Sequence, residues 1–309
     1  MTGGKARPSV HQTGAPAAEA TVSKVGVVGA GTMGFGIAIV AARGDYQTVV
    51  YDTDGGRIER LKQDAVTFIE KSIKLQKLTS AEAARCLDRL SATSELGMLS
   101  DCDLVIEAVF ESFDVKSNVL TQLNKICRPD AIFASNTSTL SITQLAAASG
   151  RAANFVGLHF CLPAQIMKLV EVTPGMQTST VAFDAAWAFC IKSGQIPIRT
   201  KDTPGFILNY FVIPFNNAAI RLVEQGVAEP PDIDTAVKTG LGHALGPLEL
   251  VDMVGLDTQV LLCEAFYQAT LDARMAAPHL LRQMVAANRL GRKSGRGFYD
   301  YASSRAFGA

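Results

Sequence analysis

Over the first two-thirds of the chain the apolar positions follow two alternating rhythms. Lys24-Val25-Gly26-Val27-Val28 is a β-branched run that stops at a glycine-rich turn. Thr32 to Arg43 then sets Met33, Ile37 and Val40 at helical spacing. Thr48-Val49-Val50-Tyr51 predicts a second strand, ending at Asp52, and the three runs together make a βαβ unit. Ile58 to Lys77 is amphipathic and helical. Leu104 to Val109, Ala131 to Ala134, Asn154 to Phe160 and Lys168 to Val172 complete the strand-like runs. Strands that alternate with helices predict an α/β fold with a doubly wound, mostly parallel sheet.

The rhythm changes at Asp202-Thr203-Pro204-Gly205. Phe206 to Gln225 reads as a long helix with Pro214 inside it, where a kink is expected. Pro231 to Thr239 reads as a short helix stopped by Gly240. Pro247 to Thr270 and Pro278 to Asn288 read as two more, each opened by a proline. The expected organisation is a tail over 1–22, a sheet domain over 23–202 and a smaller all-α C-terminal domain over 203–309.

Composition narrows the class. Lys+Arg and Asp+Glu balance at 29 each, so no global charge favours nucleic acid. No apolar run approaches the roughly 18 to 20 residues of a membrane helix. The six cysteines form no C-x-x-C pair and no zinc-like spacing, which reads as free thiols in a reducing cytoplasm with no metal site. The Gly-, Ala- and Thr-rich start has no apolar h-region and reads as a disordered tail.

The first turn carries candidate chemistry. Gly29-Ala30-Gly31-Thr32-Met33-Gly34 has G-x-G-x-x-G spacing between a strand and a helix. Gly29 permits the tight turn, Gly31 lets a pyrophosphate approach the backbone, and Gly34 lets the helix pack on the strand. The amides opening the helix, at Thr32 and Met33, are then free to meet phosphate. Asp52, 18 residues beyond Gly34, ends the next strand, where a carboxylate binds an adenosine ribose and repels a 2′-phosphate. The reading is a Rossmann-type domain binding NAD. FAD competes on the same fingerprint, but the downstream residues suit proton and hydride transfer from an alcohol.

His159 stands in the apolar run Val156-Gly157-Leu158-His159-Phe160. A lone histidine there is most often a satisfied core residue. If this run pairs antiparallel with the one holding Glu171, a register centred on Gln165 sets the two residues directly opposite each other. A carboxylate beside an imidazole fixes its tautomer and favours a base near neutrality.

From Val25 to Tyr301 the chain resembles the 3-hydroxyacyl-CoA dehydrogenases. The matching segments are Val27 to Gly34, Asp103 to Val109, Ala134-Ser135-Asn136-Thr137-Ser138, Met167 to Val172, Asp202 to Phe206 and Gly291 to Tyr299. The resemblance implies NAD-dependent oxidation of the 3-hydroxyl of an acyl thioester, with His159 and Glu171 as an acid-base dyad. It implies that Ser138 and Asn209 hold the substrate oxygen, that Glu111, Lys116 and Lys293 contact the dinucleotide, and that the protein is a homodimer. By local pattern alone Ser138 is a turn residue, Asn209 a polar helix-face residue and Lys293 a solvated charge.

Two departures from the family pattern stand out. Where the family reads His-Phe-Phe-Asn-Pro, this chain reads His159-Phe160-Cys161-Leu162-Pro163, so an amide near the nicotinamide is missing. Where the family places a Ser and a Lys that meet coenzyme A, this chain has Phe68 and Leu75, with Lys71, Lys74 and Lys77 nearby. Coenzyme A therefore competes with an acyl carrier protein as the carrier, the acyl unit then being one such as a glyceryl group in polyketide extender synthesis. A free hydroxy-acid dehydrogenase would need an anion-binding Arg or Lys near His159, and none is evident. A non-catalytic NAD sensor would not need His159, Glu171, Ser138 and Asn209 together.

Overall fold

A computed structural model describes residues 22–301, so the expected tail lies outside the described residues except for Val22. Eight strands form one sheet: β1 (Lys24–Val28), β2 (Gln47–Tyr51), β3 (Leu90–Thr93), β4 (Leu104–Glu107), β5 (Ile132–Ser135), β6 (Phe155–Phe160), β7 (Leu169–Pro174) and β8 (Ile196–Arg199). Their spatial order is β3-β2-β1-β4-β5-β6-β7-β8. Every neighbouring pair is parallel except β6 and β7. The order reverses beside β1, where open α/β sheets bind ligands at the strands' carboxyl ends.

The helices are α1 (Thr32–Arg43), α2 (Gly55–Lys74), α3 (Ser80–Asp88), α4 (Phe113–Ile126), α5 (Ile142–Ala148), α6 (Thr180–Lys192), α7 (Leu208–Glu224), α8 (Pro230–Leu241), α9 (Pro247–Val254), α10 (Leu256–Thr270) and α11 (His279–Ala286). One face of the sheet buries Val25, Val27, Ile106 and Val172 against α1 and α6. The other buries Val105, Phe133 and Phe155 against Leu120 and Leu123 of α4 and Ile142 and Leu145 of α5. A separate core, including Ile220, Leu248, Leu256 and Leu281, joins α7, α9, α10 and α11. No helix among the described residues is long and apolar enough to cross a membrane.

The structure departs from the pattern reading at several places, each with a local cause. The helix expected over 247–270 is two helices, broken at Gly255, whose φ of +107° admits few residues but glycine. Gly240 does not stop its helix; α8 runs to Leu241, and Gly242, at φ +73°, is the left-handed cap. β8 reads Ile-Pro-Ile-Arg, and its proline is tolerated because the strand lies at the sheet edge. β3 is only four residues long, and α6 is apolar on nearly every side, so neither shows a clear period.

Candidate active site

The switch point of the sheet holds the glycine turn. Gly29 has φ +104°, and a Cβ there would lie 2.7 Å from the Ala108 carbonyl oxygen. A Cβ on Gly34 would lie 1.7 Å from the Gly29 carbonyl oxygen, so the helix packs on the turn only with glycine. A Cβ on Gly31 would meet nothing within 4 Å, and α1 begins there without a side-chain cap. Thr32, Met33 and Gly34 therefore open a helix whose first amides meet no capping side chain, the arrangement a pyrophosphate fills. Asp52 accepts from the amides of Ala30 (2.8 Å) and Asp54 (2.9 Å), which holds its carboxylate at the lip of the same turn. These residues fit a dinucleotide.

β6 and β7 pair antiparallel with His159 opposite Glu171. His159 Nδ1 lies 2.7 Å from Glu171 Oε2, and its Nε2 lies 3.1 Å from Ser138 Oγ. Both dyad side chains are buried, and the Phe206 ring packs against the imidazole with centroids 5.5 Å apart. The other oxygen of Glu171 accepts from the amides of Ile207 (2.8 Å) and Leu208 (3.0 Å) at the start of α7. Burial pushes the Glu171 carboxyl up, but the bonds from His159, Leu208 and Ile207 outweigh it and hold it below the usual carboxylate range. An ionised Glu171 accepts the Nδ1 proton, which leaves Nε2 as the imidazole's lone-pair nitrogen.

The remaining residues fall into two groups. Asn209 follows Leu208 in the first turn of α7, and its side chain makes no hydrogen bond among the described residues. Glu111 lies under the Ser138 turn and accepts the Ser138 amide at 2.8 Å. Lys116, expected to meet the dinucleotide, is enclosed by protein: its ammonium meets Glu107 Oε1 (2.6 Å), Glu111 Oε2 (3.2 Å) and the Val109 carbonyl (3.3 Å). Lys293 stands in a 3₁₀ turn of the helical region, paired with Asp257.

Pattern reading missed Glu107, Asp202, Phe206 and the two amides on Glu171. Glu107, a carboxylate closing the apolar run Leu104-Val105-Ile106, was the available signal for the first. Asp202 accepts from Ser141 Oγ (2.9 Å) and from the amides of Ile142 (2.9 Å) and Thr143 (2.8 Å), tying the segment between β8 and α7 to α5. Phe206 adopts φ +48°, which its sequence does not foretell.

Comparison with known proteins identifies the family. A family model described as 3-hydroxyacyl-CoA dehydrogenase, NAD binding domain, matches residues 24–203, and the C-terminal domain model of that family matches residues 205–301. A probable 3-hydroxybutyryl-CoA dehydrogenase of Deinococcus radiodurans is 44% identical over 278 residues, spanning 90% of this chain and 100% of that protein. The human mitochondrial hydroxyacyl-coenzyme A dehydrogenase is 38% identical, spanning 93% of this chain and 94% of that protein. The crystal structure of M. tuberculosis FadB2 superposes with a TM-score of 0.88 at 40% identity, covering 91% of this chain and 99% of that one. The (S)-3-hydroxybutyryl-CoA dehydrogenase PaaH1 of Ralstonia eutropha gives 0.86 at 40% identity, covering 91% and 100%. The chain belongs to the 3-hydroxyacyl-CoA dehydrogenase family and is an NAD-dependent oxidoreductase acting on a CH–OH group.

Proposed function

We propose that this enzyme oxidises the 3-hydroxyl of a short acyl thioester, with His159 as the base and Glu171 as its fixed partner. The observation that carries this reading is the run Ser138 Oγ, His159 Nε2, His159 Nδ1, Glu171 Oε2, with contacts of 3.1 Å and 2.7 Å at its two ends. When bound, NAD supplies the hydride acceptor. His159 Nε2 takes the hydroxyl proton as hydride leaves carbon 3, and the product is a 3-ketoacyl thioester. The imidazolium forms against a carboxylate already in place, so little reorganisation is needed. Ser138 and Asn209 hold the substrate oxygen, and their contribution is orientation. In the reducing direction His159 returns the proton.

The test is His159→Ala, measuring turnover and NADH binding separately. Turnover is expected to fall by about 10²- to 10⁴-fold, the usual share of a general base, with NADH affinity almost unchanged. Wild-type turnover in that variant would overturn the reading.

Coenzyme A is the carrier in this reading, and one observation supports an acyl carrier protein as the second reading. At the two positions where the family presents a Ser and a Lys, Phe68 sets its ring edge against Phe35 (centroids 6.4 Å) and Leu75 is 56% exposed. Neither offers a hydrogen bond to a nucleotide. Matched 3-hydroxyacyl groups on coenzyme A and on a carrier protein, compared by NADH formation, separate the two. A faster reaction on coenzyme A rejects the carrier protein. Exposed Phe211, Leu261 and Leu271 on and beside α7 and α10 support a homodimer, which sedimentation of the purified protein tests. Six buried free thiols suit a cytoplasmic location.

A further inference from the structure

Beneath the Ser138 turn runs a chain of charged contacts that hydride transfer itself does not use. Glu107 ends β4 opposite Ser135, the last residue of β5. One of its carboxylate oxygens accepts from Ser135 Oγ (2.6 Å); the other accepts from the Val109 amide (2.7 Å) and Lys116 Nζ (2.6 Å). Lys116, on α4, carries the contact on to Glu111 Oε2 at 3.2 Å. Glu111 Oε1 then accepts from the Ser138 amide (2.8 Å), the Thr139 amide (3.0 Å), Thr139 Oγ1 (2.9 Å) and Thr137 Oγ1 (2.5 Å). A second tie runs to the strand of His159, because Asn136 Oδ1 accepts the Phe160 amide at 2.9 Å.

Lys116 and Glu107 are 1% and 0% exposed at their side chains. Burying an ion pair is costly, and a well-packed apolar pair would often stabilise a fold as well. What charges provide here that an apolar pair does not is direction: each oxygen and each N–H has a named partner, and the last of them define the backbone of the Ser138 turn. We propose that Glu107 and Lys116 are positioning residues for the reaction, acting through Glu111 to keep Ser138 Oγ within reach of His159 Nε2. This rests on the reading of Ser138 and His159 given above.

The test measures kcat, KM and NADH Kd for Lys116→Met, with and without Ser138→Ala. Displacing the hydroxyl is expected to lower kcat about 10- to 100-fold. In the Ser138→Ala background the same substitution should cost less than about threefold more, because the residues act as one unit. Losses that multiply independently, or wild-type kcat in Lys116→Met, would overturn the proposal. The charge-neutral pair Glu107→Gln with Lys116→Met leaves no lone buried charge. It carries the same expectation where the single variant does not fold. Wild-type kcat in Ser138→Ala alone would instead remove the underlying reading of Ser138, a result distinct from independent losses.

Discussion

Glu171 and Leu208 are joined by a 3.0 Å hydrogen bond from the α7 amide to Oε1, while Oε2 of the same carboxylate holds His159 at 2.7 Å. One side chain on the sheet thus orients the imidazole and caps the first helix of the helical region. The helix N-terminus, with its partial positive charge, favours the ionised carboxylate. Seating of α7 and alignment of the imidazole are therefore one event. Phe206, between them in sequence, packs on the ring of His159.

Glu171→Gln is expected to lower kcat by about 10²- to 10⁴-fold, because the amide neither stabilises an imidazolium nor holds one tautomer. It should also loosen α7, read as faster proteolysis between residues 200 and 208. Wild-type turnover with intact protection would show that the carboxylate does neither job.

The pH dependence has a definite sign. The Glu171 carboxyl is held below its ordinary value in the folded protein. A group with a depressed folded pKa stabilises fully above its unfolded value, about 4.3, and loses that contribution as pH falls through the folded one. The difference in unfolding free energy between wild type and Glu171→Gln should therefore shrink as pH falls below about 4.3. A difference that grows as pH falls below about 4.3 contradicts the assignment.

Gly31→Ala and Gly34→Ala should separate binding from folding. A Cβ at position 31 meets nothing within 4 Å, whereas one at position 34 lies 1.7 Å from the Gly29 carbonyl oxygen. Gly31→Ala should keep or slightly raise the melting temperature, since it restricts the unfolded chain, while weakening NADH binding. Gly34→Ala should lower the melting temperature by several degrees, each 1 kcal/mol being worth about 2–4 °C in a chain of this size. Equal loss of stability in both would mean that the space over Gly31 is not a cofactor site.

Phe68→Ser with Leu75→Lys introduces the polar groups that the resemblance implies for binding coenzyme A. It is expected to lower KM for a 3-hydroxyacyl-CoA with little change in kcat, since uniform binding moves KM alone. An unchanged KM would place the coenzyme's contacts elsewhere.

Much of this architecture is legible without coordinates. The runs around Val27, Val50, Ile106 and Phe133 declare strands because a strand buried on both faces must be apolar throughout. The glycine turn declares itself because its backbone geometry excludes other residues, and the opposition of His159 and Glu171 follows from a register about Gln165. These are demands that a segment's own backbone makes, so they are written locally.

Other features arise only when separate segments meet. The break at Gly255 is not written in the apolar period on either side of it. The enclosure of Lys116 requires β4, α4 and the loop holding Glu111 to close around one ammonium. A lysine on a polar helix face carries no local mark of which carboxylates will surround it, and Glu171 carries none of the helix that will dock on its second oxygen. Long-range packing selects the partners of a charge, and the partners decide whether it binds a ligand, aligns a base or holds a turn in place.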